Sequence, residues 1–237
     1  MGQKIRPDSF RLGITQGWTS RWFPKRGYKN KLEEDVLIRR VINDRIKLAG
    51  IVRIEIERNA NNQYRLFIKA AKPGIIIGRG GAGIEDLTKI LTKELQALLR
   101  SRGVTDPNVA INLNIEELKR TEIASTYVAQ TIAWELEKRM PFRRTIKKTL
   151  EGVLQNRDVK GAKIQVAGRL DGGEIARSEF LSKGKLPLQT LRANIDYGRA
   201  TAYTTYGTIG IKVWVYKGDI FSKDVKDEAT GKFKQAV

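Results

Sequence analysis

The sequence predicts an α+β protein, and three patterns carry that prediction. A helical stripe at Ile38, Ile42, Ile46 and Ala49 runs into two alternating strands, Val52–Glu57 and Tyr64–Lys69. A glycine-rich break, Ile75-Ile76-Ile77-Gly78-Arg79-Gly80-Gly81, opens a second helical stripe, and a third strand follows it. Beyond Lys160 the alternation returns in short runs separated by turn residues, the pattern of an antiparallel sheet. The expected plan is an arm at 1–30, a first domain at 31–116, a C-terminal α/β domain at 117–217 and a polar, mobile tail at 218–237.

The arm places Lys4, Arg6, Arg11, Arg21, Lys25, Arg26 and Lys29 among Trp18, Trp22, Phe23 and Tyr28, with Asp8 the one acid. Pro7, Gly13, Gly17, Pro24 and Gly27 work against a long regular element. A disordered tail is the plain alternative, but such tails are poor in aromatics. Rings and guanidinium planes stack on bases, so the arm is expected to order against RNA. Its candidate contacts are Lys4, Arg6, Arg11, Arg21, Trp22, Lys25 and Arg26.

The first helix is expected from about Lys31 to Ala49, with Gly50 as its stop. In the strands that follow, Val52, Ile54 and Ile56 alternate with Arg53, Glu55 and Glu57, and Tyr64, Leu66 and Ile68 with Arg65, Phe67 and Lys69. Asn59-Ala60-Asn61-Asn62 is turn chemistry, which makes the pair an antiparallel hairpin. The helix after the glycines has the stripe Ile84, Leu87, Leu91, Leu95 and Leu98. The last strand alternates Val109, Ile111, Leu113 and Ile115.

Two readings compete for the glycine loop. Backbone without Cβ atoms can lie against a sugar–phosphate strand, and the helix behind offers free N–H groups and its positive dipole end. In a KH module such a G-x-x-G loop clamps single-stranded nucleic acid. Gly78 to Gly83 also satisfies G-x-G-x-x-G, the dinucleotide fingerprint. That fingerprint needs a strand entering the glycines directly. Here Pro73-Gly74 interrupts the approach, and a short helical turn fits Pro73 to Ile77. No Gly-Lys-Ser/Thr follows, which excludes a P-loop. The order α-β-β-α-β resembles that of a KH domain of the second topological type, and Gly78, Arg79, Gly80 and Gly81 are the candidate RNA-binding loop that this resemblance implies.

In the second half, a helix is expected over 117–139 with Ala124, Val128, Ile132 and Leu136 on one side. Pro141 ends it and opens another at about 141–156. On this helix Arg143, Arg144, Lys147 and Lys148 span an arc of about 140°. Phe142, Ile146, Leu150 and Val153 fill the adjoining arc of about 80°. Arg139 and Lys138 extend the basic patch, and Glu151 is the one acid on the helix. A solvated basic face and a membrane-surface helix are the alternatives, but the apolar arc is narrow and needed for packing. The sheet expected beneath has strands around Ile164 and Val166, Ala176 to Phe180, Ala193 to Tyr197, and Ile209 to Val215, with a turn at Asp171-Gly172-Gly173.

Composition narrows the function. Lys and Arg number 45 against 26 Asp and Glu, a net charge of +19. Such a field gathers polyanions and points to nucleic acid or an anionic membrane. The chain contains no His and no Cys, which excludes His-based triads, thiol nucleophiles and His or Cys metal sites. No cofactor or metal is expected. Asp171, Glu174 and Glu179 could form a carboxylate hydrolase in principle, but acids at a turn ordinarily face solvent. No apolar run reaches the ~18 residues of a membrane span, and the N-terminus lacks a signal peptide's apolar core. A soluble, cytoplasmic protein is expected.

Several segments together resemble one family. They are Gly2-Gln3-Lys4 through Arg11-Leu12-Gly13-Ile14, the loop Ile76 to Gly81, and Arg139-Met140-Pro141-Phe142-Arg143-Arg144. Further on come Ala167-Gly168-Arg169-Leu170, Glu174-Ile175-Ala176-Arg177, Leu191-Arg192-Ala193, Ile195-Asp196-Tyr197 and Tyr206 to Trp214. They resemble the S-three family of bacterial small-subunit ribosomal proteins, over residues 1 to about 221. The resemblance implies a non-enzymatic structural protein that binds small-subunit ribosomal RNA in the head and lies at the messenger RNA entrance. Neighbours implied with it are ribosomal proteins S-ten and S-fourteen. Arg143, Arg144, Lys147 and Lys148 then match a basic helix that faces incoming messenger and helps to open its helices. The chain has Gly80 where the family usually has a second basic residue, and Asp8-Ser9-Phe10 in place of a glycine-bearing version. The alternatives from other classes are a nicotinamide-dependent oxidoreductase using Gly78–Gly83, and a free KH-type regulator of single-stranded messenger.

Overall fold

The computed structural model describes residues 4–24, 26–59, 63–103, 109–119 and 123–221. Two compact units divide the chain, and the division runs through the expected arm. Trp18–Glu122 form one unit, while residues up to Gly17 belong with those from Ile123 onward. The arm is therefore not one element. Its first part contains α1 (Pro7–Arg11), and its second part contains β1 (Ser20–Arg21).

In the Trp18–Glu122 unit, α2 (Tyr28–Arg45) is followed by a 3₁₀ turn at Lys47–Ala49, and Gly50 stops it with φ 68°. The regular helix is thus shorter at its end than its apolar stripe suggests, but Ile38, Ile42 and Ala49 are all fully buried. β2 (Ile51–Arg58) and β3 (Gln63–Ala70) form the expected antiparallel hairpin. Asn59 N–H donates to Gln63 O at 3.0 Å, and residues 60–62 of the expected turn lie outside the described residues. A register shift between Ile51 and Arg53 turns Ile51 inward and leaves Val52 half-buried.

β3 leads through α3 (Pro73–Ile77) and α4 (Ala82–Ser101) to β4 (Ala110–Glu117), which pairs with β3 in parallel. The sheet order is β1-β2-β3-β4. Along α4 the buried residues are Leu87, Leu91, Leu95 and Leu99. Leu99 takes the place expected for Leu98, because the buried row advances by four residues at each step and so rotates about 40° per step away from the 3.6-residue period.

The other unit stacks α5 (Ser125–Glu137) and α6 (Phe142–Leu154) on a four-stranded antiparallel sheet. Its strands are β5 (Gly161–Gly168), β6 (Arg177–Gly184), β7 (Ala193–Thr204) and β8 (Gly207–Asp219), in the order β6-β5-β8-β7. The expected start of α5 at 117 is corrected. Glu117 completes β4 opposite Ala70, and the helix begins at Ser125, whose N–H donates to Asp196 Oδ2 at 2.9 Å. A carboxylate from β7 thus does the capping that no local residue does. The tail also begins later than 218, since Gly218 and Asp219 pair with Asn194 and Ala193; residues 222–237 lie outside the described residues.

The core of this unit joins Val128, Ile132 and Leu136 of α5 and Phe142, Ile146, Leu150 and Val153 of α6 to Ile164, Val166, Ile209, Ile211 and Val213 of the sheet. Gly198 of β7 lets α5 approach, as a Cβ there would stand 2.4 Å from the Ser125 carbonyl carbon.

Candidate nucleic-acid interface

The glycine loop is a helical corner. Pro73 opens α3 at its first turn, where a missing N–H costs nothing. Gly78 leaves α3 at φ 68°, ψ −175°, backbone that side chains rarely adopt. Arg79–Gly81 then make one 3₁₀ turn into α4. At Gly83 a Cβ would come within 2.4 Å of the Ile76 carbonyl oxygen, so the first turn of α4 lies on the end of α3 at backbone distance. Gly78, Arg79 and Gly80 are exposed, and α4 begins without a side-chain cap. The corner therefore offers bare backbone and one guanidinium. The parallel β3–β4 connection that a dinucleotide fold requires is present, but α3 stands between β3 and the glycines, so the direct strand-to-glycine entry is absent.

The basic helix is built as its periodicity predicts. Phe142, Ile146, Leu150 and Val153 are buried, while Arg143, Arg144, Lys147 and Lys148 are exposed. Arg139, also exposed, sits at the α5–α6 corner with φ 61°. The Phe142 N–H donates to Asp171 Oδ1 at 3.4 Å, so Asp171 serves the positive end of this helix. Glu179 of β6 accepts two hydrogen bonds from Arg143, each at 3.2 Å, and meets Arg177 Nε at 3.2 Å. The Arg143 hydrogen bond holds the Glu179 carboxyl below its usual range, against a smaller opposing effect of burial. Among the described residues no carboxylate pairs with Arg144, Lys147 or Lys148. Arg177 is a basic neighbour that the helical period alone misses; strand parity places it beside Glu179, with its guanidinium 5.9 Å from the Phe142 ring centroid.

The arm divides into different environments. Lys4, Arg6 and Arg26 are exposed, and Lys25 lies outside the described residues. Arg6 pairs with Asp8 at 3.1 Å. Arg11 is not an exposed contact. It is fully buried, and its guanidinium donates to the carbonyls of Pro7, Pro187, Leu188, Thr190 and Ala193, at 2.7 to 3.4 Å. Burial lowers its pKa from the usual value, and five carbonyl oxygens replace its lost water. Arg21 is engaged by Glu55 and Glu57 on β2, at 2.9 and 3.3 Å. Trp22 is half-buried, donates to Asp35 Oδ2 at 2.9 Å and lies under the Arg58 guanidinium.

That last contact belongs to an ionic network the sequence does not announce. Arg58 of β2 binds both Glu34 and Asp35 of α2 and donates to Lys31 O at 2.7 Å. Tyr64 donates to Glu34 at 2.9 Å and Ser20 to Asp35 at 2.8 Å. Arg102, just beyond α4, reaches Glu33 and Glu34 at 2.7 Å each. Burial, then the Glu34 charge, drives the Tyr64 hydroxyl pKa upward.

Among the described residues no group of three or more His, Cys, Asp or Glu is placed to hold a metal, and no helix is long and apolar enough to cross a membrane. Residues 37–123 match the KH domain family, and residues 132–215 match the family described as ribosomal protein S3, C-terminal domain. Proteins named small ribosomal subunit protein uS3 are similar over nearly the whole chain. The one from Desulforamulus reducens is 48% identical over 97% of this chain and 98% of its own length. That from Acidobacterium capsulatum is 46% identical over 94% of each. That from Persephonella marina is 43% identical over 100% of this chain and 99% of its own. With a KH unit, an S3 C-terminal unit and full-length likeness of this degree, the chain belongs to the small ribosomal subunit protein uS3 family.

Proposed function

We propose that this chain is a structural, non-enzymatic constituent of the small ribosomal subunit, working in ribosomes in the cytoplasm. It binds ribosomal RNA in the head of the subunit through exposed basic residues and the Gly78–Gly81 corner. Through α6 it lines the entry path of messenger RNA and holds the strands of incoming helices apart. Its neighbours in the head are ribosomal proteins S-ten and S-fourteen. The observation that supports this reading best is the division of α6 into two faces: an apolar one wholly spent on the core and a cationic one left to solvent. A phosphate backbone is the partner such a row matches, at a strength that falls with salt. Glu179 engages one of the four cations, which reduces the free charge of the face without removing it.

The test is to change Arg143, Arg144, Lys147 and Lys148 together to Ala, which keeps helix propensity high and leaves the buried face intact. Subunits should assemble. Ribosomes carrying the variant should slow more on messages with stable hairpins than on unstructured ones. An unchanged ratio of the two translation rates, with normal assembly, would assign the face to solvent or to ribosomal RNA instead.

A further inference from the structure

The sheet of the C-terminal unit has a second face, turned away from α5 and α6. Strand parity assigns its residues. Lys163 of β5 lies across from Trp214, and Lys212 of β8 lies across from Arg199 of β7. Phe180 of edge strand β6 stands on the same face, opposite Gln165. Near the β7–β8 turn, Tyr203 completes it. At one end the face is closed by Ala193, Ile195 and Tyr216 under Leu186 and Leu188. Beside it the Arg6 guanidinium, paired with Asp8, lies 5.5 Å over the ring of Tyr197 on this face. The part farther out is open: Phe180 is 57% and Tyr203 73% exposed, and Arg199 and Lys212 are exposed.

Three features of this face call for an anion. Its strand positions from Lys163, Phe180, Arg199 and Lys212 outward include no Asp or Glu; Glu179 and Asp196 point to the helix side. Like charges directly opposite one another destabilise a strand pair, yet Arg199 and Lys212 face each other with no carboxylate partner among the described residues. The cations are also interleaved with rings, since Lys163 Nζ lies 4.3 Å from the Phe180 ring centroid and 5.7 Å from that of Trp214. An isolated basic patch would suit any polyanion. Rings exposed beside unpaired cations on a four-stranded sheet suit bases that stack while their phosphates are neutralised. Across the four strands the platform measures roughly 14 Å, room for two or three nucleotides on the pattern of other RNA-binding sheets.

We infer that the open face of the β6-β5-β8-β7 sheet is a second RNA-binding surface, which takes an unpaired segment of small-subunit ribosomal RNA on Phe180, Lys163, Lys212 and Arg199. The inference rests on the reading of the chain as a small-subunit constituent. The source is ribosomal rather than messenger RNA because this face lies on the opposite side of the sheet from α6, so a messenger following the basic helix does not reach it.

The experiment is ultraviolet crosslinking of purified small subunits, with ribonucleotide adducts mapped by mass spectrometry and sequencing. Adducts to ribosomal RNA are expected at Phe180 and Tyr203. The double variant R199A/K212A should lower their yield several-fold without changing α6 adducts, and R199K/K212R should restore it. Adducts confined to the arm, the glycine loop and α6 would overturn the inference while leaving the ribosomal reading intact. Amine crosslinks from Lys163 or Lys212 to another protein, or messenger adducts on this face, would overturn it as well. A chain that failed to sediment with subunits would overturn the ribosomal reading itself. The purified full-length protein gives an independent arm: F180A should weaken binding to an unstructured fluorescent RNA 12-mer by about five- to tenfold. An affinity within twofold of wild type overturns the platform whatever the subunit result, and circular dichroism checks that this exposed substitution leaves the fold intact.

Discussion

Arg58 and Arg143 stand in opposite surroundings. Arg58 has 5% of its side chain exposed and is surrounded by Glu34, Asp35, Tyr64 and Trp22, so its charge is consumed inside the Trp18–Glu122 unit. Arg143 has 75% exposed and meets one carboxylate, Glu179, itself at the surface. Arg11 sides with Arg58, spending its donors on backbone carbonyls. The excess of +19 is thus not a uniform coat available to RNA. Part of it is internal joinery, held against carboxylates and carbonyls, and part is left facing water. Net charge counts both kinds alike; only their surroundings separate them.

If that division is right, stability should track the inward cations and RNA handling the outward ones. The largest effect is expected for Arg58→Ala, which leaves Glu34 and Asp35 buried without their main partner. A loss of about 3–5 kcal/mol is expected in urea unfolding, and a loss under 1 kcal/mol would show that the network is solvated after all. Arg11→Ala should follow at about 3 kcal/mol, because five carbonyls lose their donor at once. Limited proteolysis should then cut within 185–193, and a protected segment would disprove the clamp.

Tyr64→Phe is the finer probe. At neutral pH it should cost about 1 kcal/mol, the ordinary worth of the hydroxyl's hydrogen bond. The hydroxyl is held protonated in the folded chain, whereas in the unfolded chain it ionises near pH 10. Wild-type stability therefore declines as pH rises past about 10, where the unfolded state alone releases the proton. Phe cannot release one, so the gap between variant and wild type should close above that pH; a constant gap would contradict the assigned environment. The smallest stability change is expected for the fourfold α6 variant, whose urea midpoint should match that of wild type. A lower midpoint would move those cations into the structural class.

Much of this was legible in sequence because periodicity reports burial locally. Ile38 and Ile42, Leu66 and Ile68, and Phe142 and Ile146 each declare an inward face by spacing alone, and the same spacing set the α6 cations outward. The glycine corner was legible for a similar reason, since Pro73-Gly74 and the following glycines mark where regular backbone must end. What stayed hidden was the fate of particular polar groups. Arg11 sits among residues that look like the rest of a basic arm, and four of its five carbonyl partners lie 176 to 182 positions away. Glu34 and Asp35 look like ordinary polar positions of a helix, and Arg58 like the end of an alternating strand. Asp196 starts α5 from 71 positions away and Asp171 serves α6 from 29, so no local residue marks where the helix expected over 117–139 begins.

The Arg11 clamp has a consequence in time. The chain is made from its N-terminus, and the carbonyl at Ala193 is added 182 residues after Arg11. At about 5–20 residues per second that interval is roughly 9–36 s, far longer than helices and hairpins need to form. Throughout it Arg11 has no seat, while Trp18–Glu122 is completed about 70 residues before Ala193 is added. A segment made long before its partners is thus among the last to find its place.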